Sequence, residues 1–117
     1  MRWFSMSKKD DSILLGHMLE TAEKIQGKIA GKSRQEFDDD ENLRLALSYL
    51  LQIIGEAANH ISPAFLKAHP EIPWKQIIGM RHKVVHDYIK IDQDVIWQTS
   101  TEEIKPLIKM LKPLLKD

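Results

Sequence analysis

Cysteine is absent from the 117 residues. That excludes disulfides and cysteine-ligated metal centres and suits a reducing compartment, so a cytoplasmic protein is expected. Long apolar runs are missing as well, none approaching the ~20 residues a membrane span requires. The start, Met1-Arg2-Trp3-Phe4-Ser5-Met6, lacks the extended apolar stretch of a signal peptide, and Met6 offers a second initiator. Neither sign of charge is in excess, since 17 basic residues face 17 acidic ones. A general nucleic-acid binder draws most of its affinity from neutralising phosphates. A chain of zero net charge should therefore not coat nucleic acid indiscriminately. Work on RNA would need a local positive site, a narrow substrate or a surface assembled by dimerisation. Alternating strand patterns and internal repeats are lacking too.

What the chain does have is helical periodicity almost throughout. It reads as a single domain over 1–117, with 1–10 as a flexible N-terminal extension and a length sufficient for one core. Leu14, Met18, Ala22, Ile25 and Ile29 recur at steps of three and four, with Asp11 or Ser12 as a cap and Gly31 as a stop. A polar segment, Lys32 to Asp40, is interrupted by Phe37. The second helix carries Leu43, Leu47, Leu50, Ile54, Ala57 and Ile61, with acidic residues at its start, and finishes at Ser62-Pro63. A connector to Pro73 has room for one turn at Ala64 to Ala68. Pro73-Trp74 opens a third helix, and Asp92 caps a fourth that Pro106 either kinks or divides. The expectation is an all-α, up-and-down bundle of four to five helices.

The residues that carry chemistry lie in the third helix: Arg81-His82-Lys83-Val84-Val85-His86-Asp87-Tyr88. Arginine holds a phosphate in a bidentate fork, and histidine moves protons near neutral pH. On an ideal helix five residues turn about 140° past a full turn and rise roughly 7.5 Å. Arg81 and His86 then flank one another, and the long arginine can converge with His86 on a phosphodiester. By itself the pattern reads more simply as a surface arginine, a core-edge histidine and a packed tyrosine on an amphipathic helix, since short patterns recur by chance.

The flanking sequence adds independent matches in order: Ile54-Gly55-Glu56-Ala57, then Pro70-Glu71-Ile72-Pro73-Trp74, then Gly79-Met80-Arg81-His82, then Ile91-Asp92 with Trp97. With Arg81-x4-His86-x-Tyr88, these resemble the HepT-like branch of the HEPN ribonuclease toxins, from the second helix onward. One position departs: His82 stands where the branch usually has asparagine.

The resemblance implies an HEPN-like helical fold and a toxin of a type II/VII-like toxin–antitoxin pair. Its activity would be that of a metal-independent endoribonuclease, without cofactor, in which the substrate's 2′-hydroxyl attacks the adjacent phosphate. Arg81 and His86 would be the catalytic residues, with His82 supporting; from its place on the second helix, Glu56 either supports the site by orienting Arg81 or is an ordinary exposed glutamate. One His86 cannot be base and acid at once, so a homodimer bringing a second His86 to the cleft is expected. Tyr88 would be adenylylated by a minimal nucleotidyltransferase antitoxin, and the added phosphates would occupy Arg81 and block RNA. The competing reading is a non-catalytic helical module that binds such a nucleotidyltransferase.

Other signals read more plainly. His82 and His86 at i,i+4 lack the intervening glutamate of a zinc-protease helix, and no metal site is expected. Lys105, Lys109, Lys112 and Lys116 lie opposite Ile104, Leu107, Leu111 and Leu114, as on an amphipathic final helix. Trp74 and Trp97 are expected in the core or at a subunit interface. Gly55 and Gly79 would permit close helix approach, and Gly79 would otherwise soften its helix.

Overall fold

The computed structural model describes residues 8–84 and 92–115. All regular secondary structure among these is helical, with no strand. Its elements are α1 (Lys8–Ile29), α2 (Arg34–Asp39), α3 (Glu41–Asn59), α4 (Pro63–Ala68), α5 (Trp74–Val84), α6 (Gln93–Gln98), a π-helical turn (Thr99–Glu103) and α7 (Ile104–Leu114). The four-to-five-helix bundle is realised as α1, α3, α5 and one long rod made of α6, the π turn and α7. The short helices α2 and α4 lie in the connectors.

Capping chemistry sets most boundaries. Gly31 adopts φ +72° just past α1, the left-handed conformation that stops a helix cheaply only at glycine. Ser33 and Glu36 form a reciprocal capping box on α2: the Ser33 hydroxyl accepts from the Glu36 amide at 3.1 Å, and Glu36 Oε1 accepts from the Ser33 amide at 2.8 Å. Asp40 accepts from the Leu43 amide (3.0 Å) to start α3, and Asp92 from the Val95 amide (3.1 Å) to start α6. Arg44 of α3 donates to the carbonyls of Phe37 and Asp38, tying α2 to its neighbour.

One sequence expectation is corrected here, and one segment gains a helix. Asp11 and Ser12 do not cap α1, because the helix already runs from Lys8. Asp11 is instead buried and accepts from both the amide and the hydroxyl of Ser62 (2.9 and 2.7 Å). The polar segment before α3, to which the periodicity assigned no element, is helical over Arg34–Asp39. It folds as α2 because the capping box supplies its first turn, and Phe37 inserts fully into the core, 5.2 Å from the Trp97 ring.

The Asp11–Ser62 contact joins the first turns of α1 to the exit of α3, so these two helices run antiparallel. α3 lies between α1 and α5, and α7 packs back on α1. This central position explains why α3 buries Leu51 and Ala58 more completely than the expected Leu50 and Ala57, which are half-buried. A helix sandwiched on two flanks buries a wider arc, which here includes Ser48 and Gly55. Leu43, Leu47, Ile54 and Ile61 are buried as the periodicity predicts, as are Met18, Ala22 and Ile25 of α1.

Pro106 neither breaks the rod nor begins a separate helix. A proline ring clashes with the carbonyl four residues earlier and has no amide hydrogen, and here that carbonyl belongs to Glu102. The π turn opens the helix at this place, with the Ile104 amide bonded to the Thr99 carbonyl, a five-residue step. Beyond it, α7 buries Ile104, Leu107, Ile108 and Leu111 and exposes Lys105, Lys109 and Lys112.

Candidate active-site helix

The motif helix is aimed by the connector before it. Ser62 caps α4, accepting from the Phe65 amide at 3.2 Å, and Pro63 occupies the first turn, where its missing amide hydrogen costs nothing. The Phe65 ring lies 4.4 Å from the His69 ring and 6.2 Å, edge-on, from Trp74. Trp74 is buried, and its indole donates to the His69 carbonyl at 2.9 Å. Ile72 is buried beside it. The Pro-x-Ile-Pro-Trp segment is thus a docking plug that fixes where α5 starts. Trp74 is a core residue, and Trp97 packs against the core through Phe37.

From that anchor α5 lies against α3, burying Ile77 and Met80 on successive turns. Arg81 and His82 follow directly on the same helical backbone, in the turn after Met80. His86 and Tyr88 lie outside the described residues. A Cβ built on Gly79 meets nothing within 4 Å, so close helix approach within the chain does not require glycine there.

Glu56 is exposed on α3, one residue after the buried Gly55. Its Oε2 lies 3.2 Å from Nε2 of His60, one turn further on. His60 did not figure in the sequence reading, although the i,i+4 spacing of Glu56 and His60 is the signal that finds the pair. Among the described residues no group of three or more His, Asp or Glu side chains is arranged to hold a metal ion.

A second feature was also not read from the sequence. Lys24, Gly27 and Lys28 of α1 and Ala46, Tyr49 and Leu50 of α3 line a shallow groove between the two antiparallel helices.

Comparison with known proteins gives this helix its context. The family model "Ribonuclease HepT-like" matches residues 18–114. The chain is similar to "Putative RNase TTE0752" of Caldanaerobacter subterraneus subsp. tengcongensis, 36% identical over 102 residues that cover 87% of this chain and 91% of that protein. It is 34% identical over 104 residues to "Putative RNase MJ1380" of Methanocaldococcus jannaschii, covering 89% and 94%. With "Probable ribonuclease HepT" of Thermococcus cleftensis it shares 38% over 82 residues, or 70% and 74%. No solved structure matches the chain significantly. A family match across nearly the whole bundle, with relatives above 30% identity over most of their length, makes the chain a member of the HepT-like branch of the HEPN family.

Proposed function

We propose that the protein is a ribonuclease, and that it cleaves RNA internally without a metal ion. The observation that carries this is the family match over 18–114, which takes in Arg81, His86 and Tyr88. The chemistry asks for groups that these residues supply. One His86 accepts the 2′-hydroxyl proton as that oxygen attacks phosphorus. The bond from phosphorus to the 5′-oxygen breaks, and a second, protonated histidine gives its proton to the leaving oxygen. The products are a 2′,3′-cyclic phosphate and a free 5′-hydroxyl. Arg81 stabilises the charge that builds on the phosphoryl oxygens. The second histidine is His86 of another copy in a two-fold dimer. His82 and Glu56 act as positioning residues for the phosphate and for Arg81.

The same reading makes the protein the toxin of a toxin–antitoxin pair, held inactive when a minimal nucleotidyltransferase adenylylates Tyr88. An adduct two residues from His86 carries phosphate to Arg81 and shuts out RNA. Cleavage of RNA by wild-type protein but not by a folded His86→Ala variant tests the enzymatic reading. Retained cleavage in the variant ends it. Intact-mass spectrometry after coexpression with the nucleotidyltransferase tests the regulatory one, with AMP-sized increments lost in Tyr88→Phe as the expected result.

A further inference from the structure

The groove between α1 and α3 has a composition that the proposed catalytic chemistry does not use. On α1, Lys24 and Lys28 stand one turn apart with Gly27 between them, and Ala46, Tyr49 and Leu50 of α3 line the other side. Tyr49 is 64% exposed, an unusual position for a large aromatic ring on a helix whose other face is core. Its hydroxyl makes no hydrogen bond among the described residues, and neither lysine is ion-paired there. The floor is open, because a Cβ on Gly27 would meet nothing within 4 Å. The groove is shallow and open to solvent along its length.

An exposed ring beside two unpaired cations over a floor of small residues suits a nucleotide of a single strand. The base stacks on the ring and the phosphates lie against the ammonium groups. A second copy of the chain suits it less. A two-fold contact sets the same surface against itself, which would crowd four lysines together, and no acidic side chain lines the groove to pair them. We propose that Lys24, Lys28 and Tyr49 form a subsite that grips single-stranded RNA away from the bond being cut. The proposal rests on the reading of the protein as acting on RNA. It also answers the neutral overall charge, because a local cationic, aromatic groove binds a strand where a neutral surface does not.

The test is binding of a fluorescently labelled 12-nucleotide RNA, followed by anisotropy in a His86→Ala background so that the strand stays intact. Tyr49→Ala weakens binding about fivefold or more, the effect of losing one stacked base, whereas Tyr49→Phe binds as the parent does. Lys24→Gln with Lys28→Gln reduces the steepness of the salt dependence by about 1.4, at ~0.7 per phosphate contact on a single strand. Gly27→Leu fills the groove with a better helix former, so it blocks binding without unfolding α1.

Unchanged affinity and salt slope in these variants overturn the subsite. So does a shift in sedimentation on Tyr49→Ala, which would give the groove to a second copy. Cleavage by the wild-type protein is followed in parallel. Binding that depends on the groove with no cleavage overturns the ribonuclease reading alone, and cleavage with groove-independent binding overturns the subsite alone. Absence of RNA binding altogether overturns both.

Discussion

The carboxylate of Asp11 accepts two hydrogen bonds from Ser62, one from its amide at 2.9 Å and one from its hydroxyl at 2.7 Å, across 51 residues of chain. Ser62 in turn caps α4 through the Phe65 amide. One buried carboxylate therefore links the first turns of α1, the exit of α3 and the entry to the connector that aims α5. Asp11→Ala leaves two buried donors without a partner and is expected to cost about 2–3 kcal/mol in urea unfolding. Asp11→Asn keeps one acceptor oxygen and should lose less.

Phe37 is the only large apolar side chain of α2, and it is fully buried against Trp97. Phe37→Ala is expected to lower stability by about 3–5 kcal/mol, the range for emptying a core aromatic site. A loss below 1 kcal/mol would mean that α2 is not docked on α6 as described.

The capping box gives a pH signature. The Ser33 amide, followed by the Ser33 hydroxyl, holds the Glu36 carboxyl below its ordinary value of 4.5. A depressed carboxylate stabilises the fold above its unfolded pKa, and that contribution is lost as the pH falls through the folded value. The stability difference between wild type and Glu36→Gln should thus be constant near neutrality and shrink as the pH is taken below 4.5. Urea midpoints measured across that range check it, and a difference growing toward acid would contradict it.

Ser100 offers a prediction of opposite sign. It lies in the π turn, and its hydroxyl is buried without a hydrogen-bond partner among the described residues. Removing an unpaired buried hydroxyl relieves a desolvation penalty. Ser100→Ala should therefore raise stability by about 1 kcal/mol, visible as a higher urea midpoint with an unchanged slope.

At the proposed site, Arg81→Lys keeps the charge but loses the planar fork. In a ribonuclease acting as proposed, kcat should fall on the order of 100-fold while substrate KM changes little. A matched fall in affinity instead would give Arg81 a binding role only.

The parts of this fold legible in the sequence are those governed by neighbours along the chain. The apolar periodicity of α3 and the acidic residues at its start, the Asp92 cap, the Gly31 stop and the Pro73-Trp74 start all depend on interactions within one or two turns, and each is present. The capping box of α2 was equally local and readable from Ser33-x-x-Glu36, but a polar stretch with a single aromatic hid it. The function of Asp11 was not readable, because its partner is 51 residues away. Lys24 and Tyr49 meet only once the antiparallel register of α1 and α3 is known. Of the candidate site, the helical placement of Arg81 and His82 was legible, and the Glu56–His60 pair follows from spacing once it is sought.

The π turn has a consequence for how this chain tolerates change in length. Ile96 and Ile104 are both buried, yet eight residues of regular α-helix would rotate the second about 80° from the first. Spreading one additional residue over the Thr99–Glu103 turn leaves the equivalent of seven steps, which restores the two side chains to within about 20° of a common face. The rod therefore carries a spare residue at this turn. Deleting one residue between 99 and 103 should keep α7 in phase on α1, at a cost of about 3 kcal/mol for returning Pro106 to a regular helix. The same deletion within α3 would turn the core-facing stripe of every following turn away from its partners.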